Sequence, residues 1–210
     1  MAELTVGDAK VTRIKVTNRA GEKALGKPVG SYITIEVPRL TDDAALDDDF
    51  LSCVKNELSR LLPGDGPVFV CGVGNTEITP DALGPHTAAG VLATRHISGE
   101  LARSVGLGDL RPVSVLSPGV LGQTGIETGE ILLGIVEKVK PGAVIVIDAL
   151  ASRKLSRLGC TVQMSDTGIS PGAGVGNARK EISRDTLGVS VISVGVPIVY
   201  IFQERNYEDN

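Results

Sequence analysis

Short apolar runs that alternate with amphipathic helical patterns constrain the fold of this chain more than any other feature. Pro67–Val73 and Ala143–Ile147 consist mainly of apolar residues, which is typical of strands buried on both faces of a parallel sheet. Thr124–Lys140 instead places its apolar residues at helical spacing. Strands and helices that alternate in this way form βαβ units. We therefore expect an α/β fold of three layers, α/β/α, around a mostly parallel twisted sheet.

The remaining patterns extend this architecture. Further predicted strands are Val11–Thr17, Tyr32–Val37, Val113–Leu116 and Val189–Val194, the last ended by Gly195-Val196-Pro197. Predicted helices occupy Leu40–Leu62, part of Thr79–His96 and part of Thr124–Lys140. We expect a single domain over residues 1–210, in which a small N-terminal β segment at about 10–38 packs on the main α/β core at about 41–199.

Charge and composition argue against several classes of partner. The chain has 21 basic and 25 acidic residues, so it lacks the basic excess that holds nucleic acid phosphates. It has no Trp, three Tyr and three Phe, too few for a base-stacking platform. No apolar run approaches the roughly 20 residues of a membrane span. Its three cysteines match no metal-binding spacing and are expected to be free thiols in a reducing cytoplasm.

Polar residues follow the two most apolar strands, at the edge where α/β sheets bind ligands. Asp148 comes directly after Ala143–Ile147, while Asn75 and then Asp81 follow Pro67–Val73. If these strands are near neighbours, Asp81 and Asp148 approach each other across the crevice. Two carboxylates held close do not both ionise easily, so one keeps a proton and acts as acid while the other is the base for a water. Such a pair can hydrolyse a peptide without a nucleophilic side chain.

Both aspartates also fit ordinary structural roles. Thr79-Pro80-Asp81 is a plain helix start, with a cap, a proline at the first position and an acid at the positive end of the helix dipole. Asp148 is equally suited to cap a following helix. The residue pattern alone leaves the structural and the catalytic interpretations open.

Other residues are weaker candidates for the surroundings of the site. Asp166 lies in an Asp-Thr-Gly triplet, which occurs in all-β aspartic proteases and is otherwise typical of a turn. Glu127 fits the acid of a capping box that begins at Thr124. The glycines at Gly72–Asn75 and Gly172–Asn177 depart from the dinucleotide-binding fingerprint, which leaves nucleotide binding as a weaker hypothesis.

Several segments in a fixed order resemble one known family. They are Gly72–Asn75, Thr79–Pro85, Thr94–His96, Pro118–Gly122, Thr124–Thr128, Ile147–Ala151, Gln163–Gly168, Gly174–Asn177 and Arg179–Glu181. Each is unspecific alone, but the ordered set resembles the germination proteases, or spore endopeptidases, of spore-forming bacteria. The resemblance covers roughly residues 10 to 197.

The resemblance implies an aspartic-type endopeptidase that starts the degradation of small acid-soluble spore proteins at germination. It also implies a zymogen cut near its N-terminus, a homotetramer, and a fold similar to that of the hydrogenase maturation proteases. The aspartates proposed as catalytic in the family fall on Asp81 and Asp148; Asp166, Asn75 and Glu127 stay supporting candidates. No cofactor is expected, although the equivalent acidic positions of the maturation proteases bind a metal ion, which leaves a divalent metal open.

Two alternatives accompany the aspartate mechanism. One is a metal-assisted peptidase of the hydrogenase-maturation type, and the other is a truncated, non-catalytic member that only binds its protein partner. Family members usually carry a propeptide and a helical C-terminal region, whereas this chain begins close to its first strand and ends shortly after Pro197. We therefore expect a trimmed or naturally short form, in the cytoplasm of the forespore or spore core, without nucleic acid or membrane partners.

Overall fold

The computed structural model describes residues 1–37, 48–97, 99–104, 106, 108, 110–172 and 180–201. In this part of the chain, eight strands hydrogen-bond in one sheet. They are β1 (Ala2–Val6), β2 (Ala9–Val16), β3 (Gly30–Glu36), β4 (Val68–Gly72), β5 (Val113–Leu116), β6 (Ala143–Ser152), β7 (Thr161–Ser165) and β8 (Ser190–Tyr200). Their order across the sheet is β1-β2-β3-β7-β8-β6-β4-β5.

Seven α-helices are described among the same residues. They are α1 (Arg19–Leu25), α2 (Asp48–Leu61), α3 (Leu83–Ala89), α4 (Gly99–Ser104), α5 (Leu121–Thr124), α6 (Thr128–Val139) and α7 (Arg184–Leu187). Two 3-10 turns, Thr79–Asp81 and Leu155–Arg157, precede α3 and β7. None of the helices in the described ranges is long and apolar enough to cross a membrane.

The α/β class is confirmed, but the sheet is mixed rather than mostly parallel. Parallel pairing joins β5 to β4, β4 to β6 and β6 to β8, as the buried apolar runs predict. Strand β7 then pairs antiparallel with both β8 and β3, and β2 and β1 continue antiparallel to the edge. Over part of their length, β2 and β3 alternate buried positions with more exposed ones, which suits antiparallel strands with one solvated face.

Helices cover both faces of the sheet, as the three-layer prediction requires. On one face, Leu132 and Val136 of α6 and Leu187 of α7 pack on Phe69, Val144, Val146 and Val191. On the other face, Cys53 of α2 and its apolar neighbours pack on Ile33, Ile35, Val162 and Met164. The buried residues of β4 and β6 alternate between the first cluster and a third one, in which Val68, Val70, Ile145 and Ile147 pack with Leu58 of α2, so both strands are buried from above and below.

Some predicted boundaries are wrong. Strand β8 does not end at Gly195-Val196-Pro197 but continues to Tyr200, because it keeps pairing with β6, whose register shifts between Leu150 and Ala151. That irregularity stands beside Pro197, which has no N–H to give to a ladder.

The predicted capping box of α6 is also wrong. The helix begins at Thr128, directly after Glu127, and Thr124 instead ends α5. The Thr124 hydroxyl accepts a hydrogen bond from the Ile126 N–H, so it closes the short loop between the two helices rather than capping α6. Of the predicted helix at Leu40–Leu62, the described part is α2, and residues 40–47 lie outside the described residues.

Candidate active site

The ends of β4 and β6 lie side by side beneath the start of α3. Gly72 pairs with Ile147, and the Val73 N–H donates to the Ile147 carbonyl at 2.8 Å. A Cβ on Gly84 of α3 would lie 2.2 Å from the Val73 oxygen and 2.4 Å from the Ile147 oxygen. Only glycine permits this approach. It brings α3, and the 3-10 turn that precedes it, directly onto the edge of the two strands.

Asp148 is a buried carboxyl within β6, level with the end of β4. Its side chain is 6% exposed, and its Oδ1 accepts the Ala149 N–H at 2.8 Å. Burial raises the pKa of Asp148 to about 7; the Ala149 N–H opposes this rise, and the charge of Asp81 adds to it. The predicted strand end at Ile147 and the helix-cap interpretation are both wrong, because β6 continues to Ser152.

Asp81 is the last residue of the 3-10 turn and is held by the loop that follows β4. Its Oδ2 accepts the main-chain N–H of Asn75 at 2.8 Å. Gly74, with φ of 128°, permits this contact, since a Cβ there would lie 1.9 Å from the Asp81 carbonyl oxygen. The helix-start interpretation holds in part: Pro80 occupies the first turn, but Thr79 makes no side-chain cap.

Asn75 joins Asp81 to a residue that the sequence did not single out. Asn75 is 9% exposed, and its Oδ1 accepts both the Glu77 N–H and the Gln123 Nε2, each at 3.0 Å. Gln123 lies on α5, far from Asn75 in the chain. Its position between two of the segments that resemble the germination proteases was the one available signal, and nothing in its local pattern indicated chemistry.

The other two candidates lie elsewhere. Asp166 follows β7, and its Oδ1 accepts the Ser31 N–H of β3 at 2.7 Å. Through β8, Ser165 is level with Val146 of β6, and the chain then runs away from the level of Asp148. The structure therefore brings together Asp81, Asp148 and Asn75 but not Asp166. Glu127 is the half-buried residue just before α6.

A cysteine nucleophile is not supported by the surroundings of the pair. Cys71 of β4 is fully buried on the same face as Asp148. Burial, and to a smaller degree the charge of Asp148, raises its pKa to about 12. Since the thiolate is the nucleophilic form of cysteine, this thiol is unreactive at neutral pH. His86 and His96 are both exposed on the surface.

The donor set around the aspartates does not fit a bound metal ion. Within the described ranges, no group of three His, Cys, Asp or Glu side chains converges as ligands do. Catalytic zinc sites take three protein ligands, and here one oxygen of each carboxyl already accepts a main-chain N–H. The described donor set around the two aspartates is therefore smaller than the one that a catalytic zinc site uses.

Comparison with known proteins decides the family. The family model described as germination protease, peptidase family A25, matches residues 1–203. The chain belongs to the germination protease family. This confirms the resemblance drawn from the ordered segments.

Relatives in the family are similar over most of this chain. A germination protease of Caldanaerobacter subterraneus subsp. tengcongensis is 52% identical over 193 residues, which cover 90% of this chain and 59% of that protein. One of Clostridium perfringens is 47% identical and covers 91% and 60%. One of a Geobacillus species is 47% identical and covers 90% and 52%. The chain thus spans about 60% or less of the length of these relatives.

Among solved structures, the chain is similar to the [NiFe] hydrogenase maturation protease HycI of Thermococcus kodakarensis KOD1. The TM-score is 0.44 at 19% identity, over 72% of this chain and 87% of the other.

Proposed function

We propose that this chain is the catalytic region of an endopeptidase that cleaves small acid-soluble spore proteins during germination, with Asp81 and Asp148 activating a water. Family membership and the names of the relatives support the activity. The observation that carries the mechanism is the buried Asp148 carboxyl, whose pKa is raised to about 7 beside a second aspartate. A pair of carboxyls in unlike surroundings can divide the roles of acid and base.

The surroundings of the two carboxyls support a division of roles between them. Asp148 is the acid, because burial favours its neutral, protonated form. Asp81 is the base, because the Asn75 N–H stabilises its carboxylate. Asp81 takes a proton from water as the water oxygen bonds to the carbonyl carbon of the substrate. Asp148 gives its proton to the departing nitrogen as the C–N bond breaks. The proton that Asp81 took from water then passes to Asp148, which restores the pair.

The same proposal includes the assembly and place that the resemblance implies. We expect a homotetramer located in the forespore or spore core, produced as a zymogen. Light scattering on the purified chain tests the assembly, with a mass of four chains of 21.8 kDa as the expected result. A monomer would restrict the proposal to the catalytic pair.

A cleavage experiment separates an enzyme from a protein that only binds its partner. A purified small acid-soluble spore protein is incubated with the chain, and mass spectrometry identifies any fragments. We expect internal cleavage, loss of cleavage in Asp148→Asn, and unchanged cleavage in Asp185→Asn, which alters an exposed acid on α7. Binding without fragments, by a folded chain, would contradict the endopeptidase proposal and favour the non-catalytic alternative.

A further inference from the structure

We infer that Asn75 is a further catalytic residue, which donates from its Nδ2 amino group to the oxygen of the scissile carbonyl, and that Gln123 is the positioning residue that orients it. The inference rests on the proposed endopeptidase activity. It assigns a role to a side chain that the aspartate mechanism leaves unused, and it brings in Gln123, to which neither the motifs nor the aspartate pair gives a role.

The orientation of both amides is fixed by main-chain donors. Asn75 Oδ1 faces the Glu77 N–H, and Gln123 Oε1 faces the Val120 N–H at 3.3 Å. A main-chain N–H can only donate, so each of these side-chain atoms must be the carbonyl oxygen. Gln123 Nε2 then faces Asn75 Oδ1 at 3.0 Å as donor to acceptor. The chain of bonds has one allowed polarity, and neither amide can turn over without breaking it.

This polarity leaves the amino group of Asn75 available for a ligand. Asn75 is 9% exposed, yet among the described residues its Nδ2 has no acceptor. Among the described residues, the one fully enclosed side-chain polar atom without a partner is Ser114 Oγ, so Asn75 Nδ2 is reached by solvent and can meet a ligand there. The main-chain N–H of the same residue is bonded to Asp81 Oδ2, so the unpartnered donor belongs to a residue in direct contact with the proposed base.

The proposed reaction needs a donor of this kind. When water adds to the carbonyl carbon, the π electrons of the C=O bond move to its oxygen, which stays negative until the C–N bond breaks. Asp81 holds the proton from water and Asp148 supplies the departing nitrogen, so neither neutralises that oxygen. A neutral N–H donor that is already oriented stabilises it without reorganisation. Removing one such donor from an acyl-transfer site costs about 10²- to 10³-fold in kcat.

The first test is the substitution Asn75→Ala. It removes the Nδ2 donor but keeps the main-chain N–H that holds Asp81. We expect kcat for cleavage of a spore-protein peptide to fall about 10²-fold with KM little changed. The fall in activity at high pH should occur at the same pH as in the unsubstituted chain, because Asp148 is unaltered. A kcat equal to that of the unsubstituted chain would overturn the inference.

The second test compares two substitutions of Gln123. Gln123→Met fills similar space without a donor, so we expect its loss of kcat to be the same at every pH. Gln123→Glu places an ionised oxygen against Asn75 Oδ1, but a protonated glutamic acid can donate to it again. The ratio of its kcat to that of the unsubstituted chain should therefore rise as the pH falls towards the ordinary carboxyl range, near about 4.3. A ratio that is constant with pH would contradict the positioning role.

Thermal unfolding of each variant shows whether it remains folded. The activity of the unsubstituted chain then distinguishes failure of the proposed function from failure of the inference about Asn75 and Gln123. If the unsubstituted chain leaves the peptide intact, the proposed function fails and the inference fails with it. If that chain cleaves while folded Asn75→Ala and Gln123→Met cleave equally fast, only the inference fails.

Discussion

The main-chain N–H of Asn75 donates a 2.8 Å hydrogen bond to Asp81 Oδ2, and the side chain of the same residue bonds to α5. Asn75 therefore links the Asp81 carboxylate to helix α5. Because the donor to Asp81 is main chain, no substitution at position 75 other than proline removes it. Variants of Asn75 thus report on its amide alone.

Burial of Asp148 predicts a pH-dependent stability. The pKa of Asp148 is about 7 in the folded chain, against an ordinary value of 3.8. This difference corresponds to a change on the order of 4 kcal/mol in the free energy of unfolding. A raised pKa gives stability that is fully present below about pH 4 and is lost as the pH rises through about 7. Between about pH 4 and pH 7, the free energy of unfolding of Asp148→Asn should fall by on the order of 4 kcal/mol less than that of the unsubstituted chain. Denaturant unfolding at a series of pH values measures it, and parallel curves for the two proteins would contradict the prediction.

The same carboxyl predicts the upper limb of the pH–activity profile. If Asp148 must carry a proton to act as the acid, kcat/KM should fall as the pH rises above about 7. Since the charge of Asp81 contributes to the raised pKa, Asp81→Asn should move the Asp148 titration to lower pH. Carbon-13 NMR of the aspartate carboxyls follows this titration even in an inactive variant. A midpoint for Asp148 near its ordinary value of 3.8 in the unsubstituted chain would contradict the assignment of the acid.

The contact of α3 with the strand ends predicts that Gly84→Ala damages both stability and activity. The added Cβ would displace α3 from the carbonyl oxygens of Val73 and Ile147, and with it Asp81. We expect a loss of about 1–3 kcal/mol, typical of overpacking, together with a lower kcat.

Gly134→Ala is the matched control, because that helical glycine is exposed and a Cβ there meets nothing within 4 Å. It should raise the free energy of unfolding by about 1 kcal/mol and leave kcat unchanged. Equal behaviour of the two alanine variants would show that the close approach of Gly84 has no role.

A buried ion pair lies far from the candidate site, and we expect its loss to lower the free energy of unfolding without changing the cleavage rate. Glu57 of α2 is 3% exposed, and its Oε2 accepts from Arg13 Nε of β2 at 2.7 Å. Arg13→Met leaves this buried carboxylate with the exposed Arg60 side chain, whose Nε lies 3.4 Å from Oε1, so we expect a loss of about 3 kcal/mol, the lower end for a broken buried pair. The paired change with Glu57→Met should recover most of that loss. Denaturant unfolding measures both.

The control for this pair is Lys10→Met, which breaks the half-exposed bridge to Glu3 and should cost at most about 1 kcal/mol. Cleavage rates of the folded variants should not change. A paired variant as unstable as Arg13→Met would show that packing, rather than the unpaired charge, causes the loss.

Strands β4 and β6 could be predicted because strands that are buried on both faces have a distinctive apolar composition. β4 and β6 lie between two helical layers, and so their sequences are almost wholly apolar. β7 was not predicted, because its antiparallel pairing with β3 and β8 depends on partners distant in the chain. Helix α1 was also not predicted. It has no buried residue, and it depends on the Asn18 cap and on Gly26 in the left-handed region.

Some residues of the candidate site could likewise be predicted from the sequence, and others could not. Asp81 and Asp148 follow apolar runs, and the rule for the edge of an α/β sheet predicts that such residues meet. Gln123 could not be predicted, because its relation to Asn75 exists only once α5 docks beside the loop after β4. Asp166 was a candidate on a triplet alone, and its bond to Ser31 places it in the junction between β3 and β7.

The aspartate-pair mechanism is tested by cleavage of a purified small acid-soluble spore protein at pH 6. The unsubstituted chain, Asp81→Asn and Asp148→Asn are each assayed with and without a metal chelator. We expect the unsubstituted chain to cleave equally well with and without chelator. Both folded variants should be slower by at least about 10²-fold, the lower range of general acid–base contributions. Loss of the parent activity to chelator and its return with a divalent ion, or full activity in either variant, would contradict the aspartate-pair mechanism.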